Sequence, residues 1–160
     1  MNILAFESSC DETSAAVVVR EDDGSFTIKS NIIASQIETH RLYGGVVPEI
    51  ASRAHIEAVS RITYEALDVA GIKLSDVGCI AVTSHPGLIG ALLVGVNFAK
   101  SLAFANNIPL VAVNHVKAHV AAAYLEYPQL EPPFTAIVVS GGHTSIYDVK
   151  SYTDFGVIGE

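Results

Sequence analysis

Three strand-like segments in the first 35 residues constrain the fold of this chain more than any other feature. Residues 2–7 and 13–20 are apolar runs joined by a short polar connection at 8–12. Residues 26–35 form a third run, and the Glu-Asp-Asp-Gly sequence at 21–24 before it is a turn signal. We therefore predict a three-stranded antiparallel meander at the start of the chain.

Helix-like and strand-like segments alternate after the meander. A helix is predicted over Pro48–Ala70, because Pro is well tolerated at a first helical position and a Gly follows the segment. Its apolar residues recur at three- or four-residue spacing and predict one buried stripe: Ile50, Ala54, Ala58, Ile62, Ala66 and Val69. The later predicted elements are a strand at 77–83, a helix at 88–106, a strand at 110–113 and a helix at 115–125. This order indicates an α/β fold with a mixed sheet.

Five polar residues lie in the loop predicted at 36–47 or early in the helix after it, and these are His40, Arg41, Tyr43, Arg53 and His55. They could contact an anionic substrate or an RNA backbone, or they could form an ordinary solvated surface, which is the commoner outcome. Small residues cluster at the start of the helix predicted at 88–106, and these are Gly87, Gly90, Ala91 and Gly95. They permit either close helix packing or close approach of a ligand.

Two histidines begin the last predicted helix. His115 and His119 are four residues apart, so both imidazoles project from one face of the helix. Such a pair after a buried strand could form half of a metal site, although one His could instead cap or pack while the other is solvated. No HExxH motif occurs, so the sequence encodes no zincin protease site.

Adjacent carboxylates occupy the first turn, at Asp11 and Glu12. One of them could serve as a general base or position a ligand, and the alternative is a solvated turn. Cys10 could be a nucleophile, but the sequence offers no partner base, so a small buried residue is favoured.

A second strand–turn–strand pattern near the end resembles the first. Strands are predicted at 134–139 and 144–149, and the turn between them reads Ser-Gly-Gly-His. We interpret the two patterns as a weak internal repeat, which divides the chain into a first lobe at 1–131 and the start of a second lobe at 132–160. Backbone N–H groups at such turns can bind phosphate, although an ordinary hairpin turn is the commoner explanation.

The composition of the chain argues against several classes of protein. The formal charge is -8 and the nine basic residues are scattered, which argues against nucleic-acid binding by this segment alone. Two Cys without CxxC spacing indicate neither a zinc ribbon nor a disulfide framework, and a cytoplasmic setting fits. No signal peptide is recognisable, and no uninterrupted apolar run is expected to span a bilayer.

Five ordered motifs cover nearly the whole chain: FESSCDETSAAVV, YGGVVPEIASRAH, PGLIGALLVGVNFAKSLA, NHVKAHVAAAYLE and VSGGHTSIYDV. In this order they resemble the TsaD family of tRNA N6-adenosine threonylcarbamoyltransferases, formerly described as glycoproteases. Two positions depart from the family pattern, because His85 precedes the Pro-Gly pair and Ala118 stands before the second His of its motif.

The resemblance implies an actin-like (ASKHA, RNase H-like) fold of two related lobes. It implies transfer of a threonylcarbamoyl group from threonylcarbamoyl-AMP to N6 of adenosine 37 in ANN-decoding tRNAs (t6A biosynthesis). Implied ligands are one divalent metal, iron or zinc, and a nucleotide such as threonylcarbamoyl-AMP, ATP or ADP. Implied roles are metal binding for His115 and His119, catalysis for Asp11 and Glu12, and substrate binding for Val139, Ser140, Gly141, Gly142 and His143.

The resemblance also implies partners and a missing part. TsaB-like and TsaE-like proteins, tRNA, and a homodimer through the two long predicted helices are expected, with no membrane. The family continues through a full second lobe that supplies a further metal ligand, so we expect this chain to be an N-terminal part that is inactive alone. Alternatives are a non-catalytic TsaB-like scaffold, the older metalloprotease assignment, and a sugar or acetate kinase of the same fold.

Overall fold

The computed structural model describes residues 1–140 and 144–159. Its strands are β1 (Asn2–Glu7), β2 (Glu12–Arg20), β3 (Phe26–Ser35), β4 (Val77–His85), β5 (Leu110–Asn114), β6 (Phe134–Val139), β7 (Thr144–Val149) and β8 (Phe155–Gly159). Its helices are α1 (Ile37–Arg41), α2 (Pro48–Ala70), α3 (Ile89–Asn106), α4 (His115–Ala121) and α5 (Ala123–Glu126), with a 3₁₀ turn at Leu74–Asp76. The chain divides into two compact units, Met1–His115 and Val116–Glu160.

The first unit is built on a five-stranded mixed sheet in the order β3-β2-β1-β4-β5. The pairs β1–β2 and β2–β3 are antiparallel, which confirms the predicted meander. The pairs β1–β4 and β4–β5 are parallel. The connections into β4 and β5 run through α2 and α3, as parallel neighbours require. The carboxyl ends of β1, β4 and β5 therefore lie along one edge of the sheet.

The helices α2 and α3 cover one face of this sheet. Leu4, Val17 and Ile80 are fully buried there, and they pack in one cluster with Ile62 and Ala99 of the helices. The helix α2 ends as predicted, because Gly71 adopts φ 68 and its N–H donates to the carbonyl groups of the last turn.

The stripe predicted for α2 is partly wrong. Ile62 and Ala66 are buried, but Val69 is 59% exposed, and the buried face is Ala51, His55, Val59, Ile62, Thr63, Ala66 and Leu67. That face includes His55 and Thr63, two polar residues that an apolar pattern cannot identify. The expectation of a solvated surface is also wrong for His40 and His55, which are 3% and 0% exposed, whereas Arg41, Tyr43 and Arg53 are exposed.

Other differences from the predicted elements are local. The loop predicted at 36–47 contains the short helix α1. The helix predicted at 115–125 is interrupted at Ala122, which separates α4 from α5. The strand β8 was not predicted, because its sequence Phe-Gly-Val-Ile-Gly is short and has Gly at two of five positions.

The helix α3 differs from the prediction that no segment of the chain is apolar enough to span a bilayer. Among the described residues it is the one helix that passes a length-and-hydropathy test for a membrane span, which the sequence analysis did not expect. One such helix is weak support for a membrane span, and α3 packs against α2 and β4.

The second unit contains a separate antiparallel sheet in the order β6-β7-β8. Val116 and Val120 of α4 pack in one cluster with Tyr147 and Val149 of β7. The antiparallel pair β6–β7 is the strand–turn–strand that the sequence predicts, and the third antiparallel strand, β8, extends the sheet beyond that prediction. The lobe division predicted at residues 131 and 132 concerns related lobes rather than compact units, and it stays a prediction.

Candidate functional site

The turn between β1 and β2 is held by three other parts of the first unit. Three consecutive carbonyl groups accept hydrogen bonds: that of Ser9 from the N–H of Leu88 at 2.8 Å, that of Cys10 from Nε2 of His55 at 3.1 Å, and that of Asp11 from the N–H of Gln36 at 3.1 Å. The donors belong to the β4–α3 connection, to α2 and to the residue before α1. The main chain of this turn is therefore fixed by its surroundings.

The small residues at the start of α3 serve close packing. The hydroxyl of Ser8 donates to the carbonyl of Ala91 at 2.9 Å. A Cβ atom on Gly87 would lie 2.6 Å from the Ser9 carbonyl oxygen, and one on Gly95 would collide with the Ser8 hydroxyl. Only Gly lets α3 approach the turn this closely, which supports the packing interpretation of this cluster.

Glu7 and His115 meet at the edge of the sheet where β1 and β5 end. Oε2 of Glu7 lies 3.1 Å from Nδ1 of His115, and the Ser9 hydroxyl lies 3.2 Å from the same nitrogen. A carboxylate only accepts, so Nδ1 carries the proton and a neutral imidazole presents Nε2 as its acceptor nitrogen. Glu7 thus orients His115 in the way that carboxylates orient metal-binding histidines.

The Glu7 carboxylate is stabilised in its ionised form. Burial opposes ionisation, but hydrogen bonds from Ser9, Thr83 and His115 outweigh it, so the pKa of Glu7 is lowered. An ionised Glu7 is the state that can accept the imidazole N–H. The sequence analysis did not identify Glu7 or Ser9 as site residues, although an acidic residue ending an apolar strand before a Ser-Ser turn was a usable signal.

His115 and His119 both lie in α4, one helical turn apart. Among the described residues no group of three or more His, Cys, Asp or Glu side chains is arranged to hold a metal ion. Imidazoles suit iron and zinc, so the donor chemistry fits such a metal, but two ligands are fewer than the three protein ligands of a usual catalytic zinc site.

Asp11 and Glu12 are both partly exposed, and Glu12 begins β2 opposite Ser35. Asp11 also influences its neighbour, because desolvation of the thiol and then the charge of Asp11 raise the pKa of Cys10. Cys10 is exposed, so the expectation of a buried residue is wrong. A thiol held protonated beside a carboxylate is poorly suited to act as a nucleophile.

The predicted substrate-binding turn belongs to the second unit. Val139 ends β6 and is 72% exposed, and Ser140 follows it and is also exposed. Gly141, Gly142 and His143 lie outside the described residues.

Comparisons with known proteins identify the relatives of this chain. The model of the family "TsaD: tRNA N6-adenosine threonylcarbamoyltransferase" matches residues 27–160. Proteins named tRNA N6-adenosine threonylcarbamoyltransferase from Clostridium botulinum and Clostridium beijerinckii are 58% and 57% identical over 160 and 158 residues. The matches cover 100% and 99% of this chain but 46% and 45% of those proteins, so the chain spans about half the length of these relatives.

Solved structures share the fold. YeaZ from Pseudomonas aeruginosa superposes with a TM-score of 0.64 at 19% identity, covering 99% of this chain and 64% of YeaZ. The Ppx/GppA family member from Aquifex aeolicus gives 0.55 at 12% identity, covering 100% of this chain and 51% of that protein. The ROK hexokinase from Thermus thermophilus gives 0.55 at 18% identity over 99% and 48%. The expected actin-like fold is therefore confirmed, and the chain belongs to the TsaD family of tRNA N6-adenosine threonylcarbamoyltransferases.

Proposed function

We propose that this chain is the N-terminal part of a tRNA-modifying transferase that makes t6A. The enzyme moves the threonylcarbamoyl group of threonylcarbamoyl-AMP to N6 of adenosine 37 in ANN-decoding tRNAs. The observation that carries this proposal is the 58% identity to a protein of that name along all 160 residues. We also propose that the protein is cytoplasmic.

In this reaction the turn between β1 and β2 supplies the group that accepts a proton. The N6 amine attacks the carbamoyl carbon, a C–N bond forms, the C–O bond to the phosphate breaks, and AMP leaves. Asp11 or Glu12 accepts the proton that N6 loses. The carbonyl groups of the turn are already bonded to Leu88, His55 and Gln36, so the two carboxylates follow a fixed main chain.

His115 and His119 are the proposed metal ligands, with Glu7 orienting the first imidazole. A bound iron or zinc ion would supply Lewis acidity toward the carbamoyl carbonyl or phosphate oxygens. The chain departs from the family pattern beside these residues, at Ala118 and at His85.

The turn at 139–143 is proposed to bind the nucleotide part of the substrate, through Val139, Ser140, Gly141, Gly142 and His143. Because a catalytic metal normally has three protein ligands, and because the chain spans about half the length of its relatives, we expect it to show no transfer activity alone. Robust turnover by the purified chain would contradict this.

Partners are proposed on two grounds. A chain with a net charge of -8 and scattered Lys and Arg needs other surfaces to bind tRNA, and TsaB-like and TsaE-like proteins are the proposed companions. The helices α2 and α3 pack together and expose large apolar side chains, which are Ile56, Tyr64, Ile89, Leu93 and Phe104. This face fits a related protein of the same fold, or a second copy of the chain.

That apolar face also favours one alternative function, a non-catalytic TsaB-like scaffold. The metalloprotease alternative has less support, since the sequence has no HExxH motif. A transfer assay with labelled threonine, the complete protein and an ANN-decoding tRNA separates transferase from scaffold. Asp11→Asn and Glu12→Gln variants should lower kcat, at least one of them by about 100-fold or more, whereas a scaffold would give no transfer with any variant.

A further inference from the structure

Four of the buried polar side chains of the first unit form one hydrogen-bonded group. Thr13, Gln36, His40 and His55 are 1%, 5%, 3% and 0% exposed. They come from β2, from the residue before α1, from α1 and from α2, so they join elements that are distant in sequence. Burying polar groups is costly unless they are hydrogen-bonded, and each of these four has a partner.

The bonds of His55 fix its tautomer. Its Nε2 lies 3.1 Å from the Cys10 carbonyl oxygen, which can only accept, so Nε2 carries the proton. Its Nδ1 is therefore an acceptor, and it receives the hydroxyl proton of Thr13 at 2.7 Å. Burial lowers the pKa of His55, which favours the neutral imidazole that this pattern needs.

His40 has the same tautomer for a similar reason. The N–H of Val47 points to Nδ1 of His40 at 3.3 Å, so Nδ1 accepts. Nε2 of His40 then donates to Oε1 of Gln36 at 3.1 Å, and the Gln36 amide nitrogen lies 3.4 Å from the Ala51 carbonyl and 3.5 Å from Nδ1 of His55.

A single hydrogen-bonded network thus runs from the exposed loop at 42–47 to the turn that carries Asp11 and Glu12. Its last bond, from His55 to the Cys10 carbonyl, lies directly before the two carboxylates. Other hydrogen bonds also hold the main chain of this turn, from the N–H groups of Leu88 and Gln36 to its carbonyl groups and from its own Ser9 N–H to the Glu7 carboxylate. Among the described residues, His55 is the side chain that bonds to the carbonyl group directly before the two carboxylates, and the loop can influence it through His40 and Gln36.

We propose that His55 is a positioning residue, which holds the Cys10 carbonyl and thereby directs the Asp11 and Glu12 side chains, and that its network ties this turn to the loop at 42–47. That this positioning by His55 matters for catalysis rests on the proposed function. The positioning itself is a property of this chain and can be measured without activity.

The test uses Cys10, an exposed thiol inside the turn, as the reporter. Its alkylation by iodoacetamide is followed across pH by mass spectrometry, with Cys79 as the internal reference. The variant His55→Gln keeps a donor near the Nε2 position, whereas His55→Asn is too short to reach the Cys10 carbonyl. Thr63→Val is the matched control, because Thr63 is a buried polar residue of the same helix that bonds within α2.

His55→Asn should release the turn and weaken the effect of Asp11 on the thiol. We expect the pH profile to move toward lower pH and the Cys10 rate near neutral pH to rise by about fivefold, because a lower thiol pKa increases the thiolate fraction. His55→Gln should retain most of the native profile. An unchanged profile in His55→Asn, or an equal change in Thr63→Val, would overturn the proposal.

The complete protein separates this proposal from the proposed function. If His55→Asn changes the Cys10 profile and lowers kcat while KM stays near its native value, both stand. If the Cys10 profile changes but Asp11→Asn and Glu12→Gln leave transfer intact, the positioning stands and the roles of the carboxylates fail. If the two carboxylate variants abolish transfer and the Cys10 profile does not change, the positioning is overturned and the function stands.

Discussion

At the residue scale, a buried neutral histidine makes stability depend on pH. Burial lowers the pKa of His55 from 6.5, while the hydrogen bond to the Cys10 carbonyl and the charges of Glu7 and Asp11 oppose that effect and His40 adds to it. Above pH 6.5 its contribution to stability is complete. As the pH falls below that value, the unfolded state takes up a proton that the folded state does not, so stability decreases until the folded pKa is reached.

Urea unfolding between about pH 7 and about pH 5 measures this dependence. The free energy of unfolding should fall with decreasing pH in the native chain, and the slope should be smaller in His55→Gln. The lowered pKa of Glu7 acts in a separate window, because its contribution is lost only below 4.5. Identical slopes in the two proteins would contradict a buried neutral His55.

Glu7 provides a second prediction at this scale. Replacing it by Gln keeps the size of the side chain but removes the charge that orients the His115 imidazole. Loss of such a partner typically weakens metal affinity by about 10–100-fold, so Zn²⁺ titration of Glu7→Gln should show weaker binding. Glu57→Gln, an exposed change on α2, is the control, and equal affinities in the two variants would refute the orienting role.

At the scale of elements, α3 depends on its glycines. A Cβ at Gly95 would collide with the buried Ser8 hydroxyl, so Gly95→Ala should push α3 away from the β1–β2 turn. We expect a loss of about 1–3 kcal/mol, typical of overpacking, in the free energy of unfolding. Gly45→Ala is the control, because no described atom lies within 4 Å of its Cβ position. An unchanged stability in Gly95→Ala would contradict the close approach.

The exposed faces of α2 and α3 give a prediction about association. Leu93 is 52% exposed, and a charge there should disrupt an apolar interface. Sedimentation should find the native chain as a dimer and Leu93→Glu as a monomer. Leu42→Glu, which changes an 84% exposed loop residue, should remain dimeric. A monomeric native chain at the same concentration would contradict self-association through these helices.

Among the helices and strands, those with a clear local pattern could be predicted from the sequence. The meander, α2 and β6–β7 were predictable because their apolar periodicity and turn residues are local. The buried face of α2 was not, since it places His55 and Thr63 in the core, where only partners from distant segments make them tolerable. The bond from His55 to Cys10 spans 45 residues in sequence.

At the scale of the whole molecule, the candidate site combines local and distant information. The helical spacing of His115 and His119 could be read directly from the sequence, and so could the carboxylates at Asp11 and Glu12. The contact between Glu7 and His115 joins residues 108 apart, and only the parallel pairing of β1, β4 and β5 creates it. Sequence patterns alone could mark Glu7 as an acidic residue that ends a strand, but without that topology they could not pair it with His115.

We propose above that His115 and His119 are two ligands of a metal site and that Glu7 orients His115. The most direct test of this proposal is elemental analysis and Zn²⁺ titration of the purified chain beside a His115→Ala, His119→Ala double variant. We predict about one equivalent of metal for the native chain and none for the variant, with the fold intact in both by circular dichroism. Equal metal binding by the two proteins, or no binding by either, would contradict it.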